Sequence, residues 1–313
     1  MTAPRTVIIG AGMAGLACAR RLADAGETVE ILDKGRGIGG RLATRRTADG
    51  WQFDHGAQYA SPNGVDFKTV LEAARDAGAV DLWEGGSGEE HFVGVPGMSA
   101  MAKYLAKGLD IHQMEEVRTL SPVNDHWAVN TETAERTADR VVMTVPAPQA
   151  AKLLGPAHPL SARLGHVKMA PCLTLMAAFG DAAPVPFAQR RDASDDLSWI
   201  ACNSDKPGRP GPGCWIAQAG VAWSEKHLEL ERDDIAALML PMLCDRIGAD
   251  PASALFAAAH RWRYAHVATP LGAPFLKDEN GSLWLGGDWC LGPRVEAAWD
   301  SGTAIANDIL GHS

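Results

Sequence analysis

The stretch "TVIIGAGMAGLACARRLADAGETVEILDKG", residues 6–35, decides the fold class of this chain. Its β-branched run at residues 6–9 is typical of a buried parallel strand. The pattern GxGxxG at residues 10–15 follows and leads into a helix that we expect to end at Gly26. Residues 28–32 then read as a second strand. The order predicts a βαβ unit that opens a doubly wound, Rossmann-type sheet.

The residue types of this unit suit a dinucleotide. Gly10 permits a sharp turn, Gly12 lets the backbone approach a pyrophosphate, and Gly15 lets the helix pack closely on the strand. The free N–H groups of the helix N-terminus face the anion. Asp33, at the end of the second strand, is placed to accept a hydrogen bond from a ribose hydroxyl. The predicted cofactor contacts of the unit are Gly10, Gly12, Met13, Ala14, Gly15, Asp33 and Lys34.

A second glycine cluster distinguishes FAD from NAD. The segment "KGRGIGGRLATRR", residues 34–46, places Gly40 and Arg41 shortly after Asp33. A simple NAD unit has no need of this loop, whereas the longer FAD molecule runs on past the first turn. Arg41 could lie against the pyrophosphate or the flavin. A solvated basic loop is the alternative, but the preceding motif makes FAD the better interpretation.

The other end of the chain carries the same kind of pattern. In "LWLGGDWCLGPRVEAAWDSG", residues 283–302, an apolar strand runs into glycines, an aspartate and a helix. We expect this strand to join the same sheet, with Asp288 at the ribityl or pyrophosphate part of FAD. The helix that begins near Val295 would direct its N-terminus at the flavin C2 carbonyl and N1. The predicted contacts here are Gly287, Asp288, Arg294, Val295 and Glu296.

Composition excludes several classes of protein. The net charge of −9 over 313 residues argues against nucleic-acid and anionic-membrane binding. No run approaches the ~20 apolar residues of a membrane span, and the first residues lack the features of a signal peptide. The six cysteines are scattered, which predicts reduced thiols in a cytoplasmic protein and no metal site.

The chain resembles the flavin amine oxidase superfamily, with its p-hydroxybenzoate-hydroxylase-like fold, and within it the bacterial renalase family. The resemblance extends over most of the chain and is strongest in the C-terminal block and in "PGMSAM". The motifs that carry it are "VIIGAGMAGLACA", "DKGRGIGGR", "FDHGAQYA", "VGVPGMSAM", "VVMTVPAPQAAKLL", "HRWRYA" and "GDWCLGPRVEAAWDSG".

The resemblance implies an oxidase of isomeric dihydronicotinamides, 2- or 6-dihydro-NAD(P). The products would be β-NAD(P)+ and, with dioxygen, hydrogen peroxide. No protein residue is assigned a catalytic role, because the substrate becomes aromatic by losing a hydride and FAD carries the chemistry. The resemblance adds Gly56, Ala57, Gln58 and the backbone of Val117 to the cofactor contacts. It suggests Tyr59, Pro96, Gly97, Met98 and Trp262 for the substrate side.

The chain departs from the wider superfamily at two points. Many members carry a lysine near the flavin N5, in a strand that corresponds here to "MAPCLTLMAAFG", which has none. The cysteine motif for covalent flavin attachment is also absent, since the residues around Cys290 differ. We therefore expect non-covalent FAD. An amine oxidase is the main alternative, followed by a desaturase and by a flavin-binding module without turnover.

The domain organisation follows from a cofactor site built by both chain ends. We expect a discontinuous FAD-binding domain with an inserted α+β substrate domain. The predicted FAD-binding domain comprises residues 1–70, 93–158 and 268–313, and the substrate domain residues 71–92 and 159–267. His260 in "AHRWRYAH" could be a general base or a polar core residue, and His55 is expected to give structural support.

Overall fold

Runs of strands are interspersed with helices in a computed structural model that describes residues 4–85 and 89–312. The strands are β1 (Arg5–Ile9), β2 (Thr28–Asp33), β3 (Thr44–Arg46), β4 (Gln52–Asp54), β5 (Val80–Leu82), β6 (Phe92–Gly94), β7 (Asp110–Gln113), β8 (Thr119–Val123), β9 (His126–Asn130), β10 (Glu135–Ala138), β11 (Arg140–Met143), β12 (Lys168–Ala178), β13 (Gln189–Arg191), β14 (Trp199–Cys202), β15 (Cys214–Gln218), β16 (Phe256–Thr269), β17 (Leu276–Lys277) and β18 (Leu283–Leu285). The helices are α1 (Met13–Asp24), α2 (Val65–Asp76), α3 (Ser99–Leu105), α4 (Ala147–Leu154), α5 (Pro159–Leu164), α6 (Val221–Lys226), α7 (Arg232–Ile247) and α8 (Val295–Leu310).

A six-stranded sheet joins the two ends of the chain. Its strand order is β17-β18-β11-β1-β2-β7. The pairs β18–β11, β11–β1, β1–β2 and β2–β7 are parallel, and β17 runs antiparallel at one edge. The first strand is thus separated from the last by β11 alone. This sheet confirms the predicted Rossmann-type layer and the place of the C-terminal strand within it.

The helices α1 and α8 pack against each other at very short range on this sheet. A Cβ atom at Gly302 would lie 2.0 Å from the Ala14 carbonyl oxygen, so only glycine permits the approach. Below them a buried apolar cluster includes Ile8, Leu16 and Ile305. Burial of such side chains supplies about 1.5–3 kcal/mol each, which fixes both helices on the sheet.

A five-stranded antiparallel sheet forms the second layer, in the order β13-β14-β15-β12-β16. Its outer face packs on α7, where residues such as Leu175, Trp215 and Met239 are fully buried. The stretch "CWIAQAGVAW" reads as one strand in the sequence but stops at Gln218, and α6 begins three residues later. The helix α6 lies against β12, where Ser224 Oγ accepts a hydrogen bond from the Leu173 amide at 3.1 Å.

Smaller units complete the structure. Strands β8, β9 and β10 form an antiparallel sheet, and β3–β4 and β5–β6 are two-stranded. All six cysteines are buried and free of disulfides, as predicted. Among the helices of the described ranges, none is long and apolar enough to cross a membrane. The domain limits stay a prediction, in part because residues 1–3, 86–88 and 313 lie outside the described residues, and the cytoplasmic location also stays one.

Candidate cofactor and substrate site

The glycine turn after β1 forms an open cradle. Gly10 has a φ of +112° and donates its amide to Leu32 O at 2.8 Å. A Cβ at Gly15 would lie 2.0 Å from Gly10 O, so the start of α1 can pack there only as glycine. At Gly12, by contrast, a Cβ would meet nothing within 4 Å. The first amides of α1, at Met13 and Ala14, adjoin this open space and have no partner within the helix.

Asp33 lies at the carboxyl end of β2, beside the cradle. Its Oδ2 accepts the Ala11 amide and its Oδ1 the Gly35 amide, both at 2.7 Å. Lys34 is exposed. Val117 follows β7 at the same edge of the sheet, and its backbone makes no hydrogen bond among the described residues. A carboxylate with spare lone pairs and a free backbone amide suit the ribose and base of a dinucleotide.

Arg41 and Asp288 connect the two ends of the chain. The guanidinium holds the carboxylate with two hydrogen bonds of 2.6 Å each, and Nη1 also donates to Ala265 O on β16 at 3.0 Å. Gly40, with a φ of +53°, lies beside Gly12. The Gly287 amide donates to Ser301 Oγ at 2.9 Å, which fixes the turn before Asp288. The Arg41 side chain thus connects Asp288, after the last strand of the parallel sheet, with β16 of the antiparallel sheet.

At the start of α8, two side chains anchor the loop before α2. Glu296 is 6% exposed and accepts the amides of Asn63 and Gly64, the latter at 2.6 Å. Arg294 donates to Ser61 O at 2.6 Å. The side chains of these two predicted cofactor residues thus bind the backbone of residues 61–64. The Val295 amide, at the first position of α8, has no partner within the helix and points along the helix axis.

Residues 55–58 form a strip between Arg41 and the second sheet. The Ala57 amide donates to Arg41 O at 2.8 Å, and a Cβ at Gly56 would lie 2.0 Å from that oxygen. From the sheet, Trp262 Nε1 donates to His55 O at 2.7 Å and Gln218 Nε2 to Gly56 O at 2.8 Å. The strip is therefore held from both sides.

The face of the second sheet toward this strip, here called the inner face, is polar and aromatic. Its strand pairing places one residue of each strand in a row across the sheet. This row consists of Arg191, Trp199, Gln218, Thr174 and His260, with Trp262 two positions beyond His260. Among the described strand residues, this face carries no carboxylate.

A buried ion cluster lies under the strip and was not predicted. Asp54 is fully buried and accepts hydrogen bonds from Arg209, with Nη2 to Oδ2 at 2.5 Å, and from the Met98 amide at 2.9 Å. Lys206, 1% exposed, lies 3.8 Å from the same carboxylate and donates to Gln58 Oε1 at 2.9 Å. The cluster thereby connects the second sheet to a predicted flavin contact.

The charges of this cluster shift each other's titration. Burial lowers the pKa of Lys206 to about 8, although Asp54 opposes the shift. Burial alone would raise the pKa of Asp54, but Lys206 and Arg209 hold it below its ordinary value. The burial of Lys206 and Arg209 could not be predicted, because the loop at residues 204–214 has the Pro/Gly pattern of an exposed hairpin connection. The sequence feature that could have indicated the cluster is that Lys206, Arg209 and Asp54 each lie outside a run of charged residues.

Two groups of ring contacts lie at the ends of the strip. Tyr59 stacks on His91 with centroids 3.7 Å apart and lies 5.7 Å from Trp199. His260 lies 4.7 Å from the His55 ring and 4.3 Å from Trp262. Burial lowers the pKa of His55 to about 4 and that of His260 to about 3, so both imidazoles are neutral near pH 7.

The remaining predicted substrate residues lie against β3 and β4. Met98 contacts Asp54 through its amide, and the Pro96 carbonyl accepts from the Gln52 side chain. A Cβ at Gly97 would lie 2.7 Å from Thr44 Oγ1. The structure thus groups Tyr59 and Trp262 at the strip, whereas the contacts of residues 96–98 are behind it. Among the described residues no cluster suited to a metal ion occurs, and a metal-free reaction stays a prediction.

The parts fit a long dinucleotide. An open cradle at Gly12, an acceptor at Asp33 and an unpartnered backbone at Val117 share one edge of the parallel sheet. The strip lies between Arg41 and the inner face of the second sheet, to which Trp262 and Gln218 bind it. These features are those expected of a fold that binds a dinucleotide.

The comparisons with known proteins give the family. Residues 8–76 match the NAD(P)-binding Rossmann-like domain, and residues 73–310 match the flavin containing amine oxidoreductase family. The chain belongs to this second family, whose members are FAD enzymes, and FAD is its cofactor. The match spans most of the chain, in agreement with the predicted superfamily.

Individual relatives match over shorter stretches. Polyamine oxidase 1 of Oryza sativa subsp. japonica is 41% identical over 85 residues, which are 26% of this chain and 16% of the rice protein. Putrescine oxidase of Kocuria rosea is 38% identical over 66 residues, 21% of this chain and 14% of that protein. The matched segments thus span less than a fifth of either relative.

Solved structures match over the whole chain. Cyclohexylamine oxidase from Brevibacterium oxydans IH-35A superposes with a TM-score of 0.72 at 14% identity, covering 99% of both chains. A putrescine oxidase with bound putrescine gives a TM-score of 0.69 at 15% identity, covering 99% of this chain and 100% of that one. At such identities the likeness establishes the fold.

Proposed function

We propose that this protein is an FAD-dependent oxidase of isomeric dihydronicotinamides, 2- or 6-dihydro-NAD(P), as the renalase-type motifs imply. The substrate loses a hydride and becomes β-NAD(P)+. Bound FAD would supply the hydride acceptor and the two-electron reduction of dioxygen, which with one further proton would give hydrogen peroxide. The substrate is therefore a small dinucleotide and dioxygen the second reactant.

The observation that carries the proposal is the chemistry of the inner face. An amine substrate is a cation in water and is favoured by a nearby carboxylate. The described strands of this face offer an arginine and neutral aromatic and amide groups instead. The buried carboxylate nearest to the strip, Asp54, is already compensated by Arg209 and Lys206. The face suits a planar, uncharged ring with an anionic tail.

The protein residues bind and orient rather than transfer protons. Hydride donation needs the donor carbon about 3–3.5 Å from the acceptor, with the rings aligned. Tyr59 and Trp199 flank one end of the strip, and Trp262 is fixed at the other end by its bond to His55 O. The low pKa values of His55 and His260 leave neutral rings, which is compatible with a substrate that releases no proton.

We further propose that FAD is held without a covalent bond. Each of the six cysteines is buried. Burial raises the pKa of Cys290, the one near the C-terminal motif, to about 12. A thiol that is neutral and buried is a poor nucleophile for attachment. Acid precipitation of the holoenzyme should leave the flavin in the supernatant, and flavin retained by the pellet would contradict this.

An amine oxidase is the second candidate. It is favoured by the sequence similarity to a putrescine oxidase and a polyamine oxidase. Against it stands the absence of a lysine on β12 apart from its first residue, Lys168, which is exposed.

Anaerobic flavin bleaching distinguishes the two candidates. NAD(P)H preparations enriched in the 2- or 6-dihydro isomers should bleach the flavin faster than pure 4-dihydro-NADH, by about a hundredfold, since a fixed ring presents only part of its edge. Putrescine and benzylamine should leave the flavin oxidised. After oxygen is admitted, peroxide should form in proportion to β-NAD(P)+. Rapid bleaching by an amine alone would replace this proposal with the amine oxidase.

A further inference from the structure

The row across the inner face ends at an unpaired arginine. In the antiparallel pair β13–β14, Arg191 lies directly opposite Trp199. Side chains at directly opposite positions project from the same face with Cβ atoms about 4.5–5.5 Å apart. Trp199 in turn contacts Tyr59, with ring centroids 5.7 Å apart. Arg191 is therefore at the outer end of the face that adjoins the proposed substrate rings.

Arg191 differs from its sequence neighbour. Arg190 points to the other face and is bound by Asp192 and Asp195 at 3.1 and 3.2 Å. The Arg191 side chain is exposed and makes no hydrogen bond or ion pair among the described residues. A guanidinium offers five donors, which match phosphate oxygens in a fork. Its charge is available to a ligand.

Buried polar atoms without partners surround the same place. Both polar atoms of the Gln189 side-chain amide and Nε1 of Trp199 are buried and have no hydrogen-bond partner among the described residues. The Ser61 hydroxyl, two residues after Tyr59, is in the same condition. Gln189 lies two residues before Arg191, so its side chain projects from the same face. Unsatisfied buried groups cost free energy, and a ligand that hydrogen-bonds to them removes that cost.

The electrostatic surroundings of this entrance are mixed, and Arg191 is the cation in them without a carboxylate partner among the described residues. Arg294 is tied to Ser61 O at 2.6 Å, so a second guanidinium stands at this entrance. It lies 3.5 Å from Glu296, which partly offsets its charge. Glu89 is one carboxylate on this side, and its side chain is 75% exposed. Asp81, Glu84 and Asp205 line the hollow that also contains Gln189, where Arg75 pairs with Asp81. Burial raises the pKa of the Tyr59 phenol, while Arg191 and Arg294 lower it and Glu89 raises it.

We propose that Arg191, with Gln189 and Trp199, forms a subsite for the phosphate groups of the substrate at the entrance beside Tyr59. The inference rests on the proposed function, in which a dinucleotide brings a diphosphate to this face. In this proposal the nicotinamide ring lies beside the contact between Tyr59 and Trp199, against the inner face. The diphosphate then extends toward the open edge at β13, where Arg191 and the Gln189 amide bind its oxygens.

The test compares charge removal at two exposed arginines. Arg191→Gln removes the subsite charge, and Arg191→Lys keeps it without the fork. Arg163→Gln is the matched control, because Arg163 is exposed on α5 and its side chain has no hydrogen bond or ion pair among the described residues. The probe is ADP-ribose, which carries the diphosphate but no dihydronicotinamide. Its affinity for each holoenzyme is measured by calorimetry, with the flavin absorbance recorded to check that FAD stays bound.

We expect Arg191→Gln to weaken ADP-ribose binding about tenfold or more, Arg191→Lys to lose less, and Arg163→Gln to match the wild type. Equal affinities for the two glutamine variants, or no binding by the wild type, would overturn the subsite. The anaerobic rate with saturating 6-dihydro-NADH is measured in parallel. If Arg191→Gln loses ADP-ribose while no dihydronicotinamide bleaches the wild-type flavin, the subsite stands and the proposed function fails.

Discussion

Gly12 differs from the other glycines of its turn in what an added side chain would meet. At Gly10 and Gly15 a Cβ would approach protein atoms to 2.9 and 2.0 Å, so these two are required by the fold itself. At Gly12 the φ of −80° is open to any residue, and the space beyond it is free of protein. We therefore attribute glycine at this position to the predicted cofactor contact rather than to folding.

Gly12→Val should yield a folded protein that does not bind FAD. Its Cβ would have no protein atom within 4 Å, and the side chain would fill the space in front of the α1 N-terminus. The purified variant should be colourless and unfold near the temperature of the wild-type apoprotein. Gly15→Ala is the contrasting variant, and it should lower that temperature, since its Cβ collides with Gly10 O. A yellow Gly12→Val protein with normal flavin content would show that the cradle is wrongly assigned.

Asp54 and Lys206 make a second comparison at the scale of single residues. Asp54→Asn would leave Arg209 and Lys206 buried without their counter-charge, and breaking a buried ion pair costs about 3–5 kcal/mol. Lys206→Met removes a fully buried charge whose pKa burial already lowers to about 8, so its desolvation cost disappears with it. We expect the aspartate variant to lose several times more unfolding free energy. Urea unfolding of both apoproteins measures this, and equal losses would contradict it.

At the scale of elements, the local units were predictable and the cross-sheet contacts were not. The β1–α1–β2 unit follows from glycine spacing and β-branched runs that act within about thirty residues. The pairing of Arg191 with Trp199 and the burial of Lys206 depend on which loop folds onto which strand, which no local pattern contains. Of the predicted site, Asp33 and Asp288 come from motifs, whereas Asp54 was passed over because its role depends on Arg209, distant in sequence.

The packing of β16 on the strip predicts sensitivity to acid. His55 and His260 have folded pKa values of about 4 and 3, against 6.5 ordinarily. Between pH 6.5 and about 4 the unfolded chain binds protons at these rings that the folded chain does not. The unfolding free energy should therefore fall with decreasing pH, by about 1.4 kcal/mol per pH unit for each ring at most.

A double variant isolates this contribution. His55→Gln with His260→Gln should reduce the slope of unfolding free energy against pH between 6.5 and 4.5, relative to the wild type. Some slope should remain, because burial also lowers the pKa of His91 and His266. His312→Gln, at a position outside the second sheet, is the control. An unchanged slope in the double variant would mean that over this pH range the two rings bind protons in the folded protein as they do in the unfolded chain.

At the scale of the whole molecule, the predicted cofactor site is assembled from residues near both chain ends. β18 joins β1 through β11, and Arg41 reaches Asp288 across 247 positions of sequence. The helices that begin at both glycine-rich turns, α1 and α8, touch at Gly302 and Ala14. We therefore expect FAD binding to depend on the packing of α8 on α1. A change that moves the two helices apart would also displace the first amides of α1.

Gly302→Ala tests this coupling at its tightest point. The new Cβ would lie 2.0 Å from the Ala14 carbonyl oxygen and 2.8 Å from its carbon, so the helices must separate. Overpacking of this kind costs about 1–3 kcal/mol of unfolding free energy. We expect Gly302→Ala both to lower the apoprotein's unfolding temperature and to speed FAD dissociation, whereas Thr303→Ala, the next residue on α8, should do neither. A destabilised variant that releases FAD at the wild-type rate would show that the two ends close the fold without shaping the cofactor site.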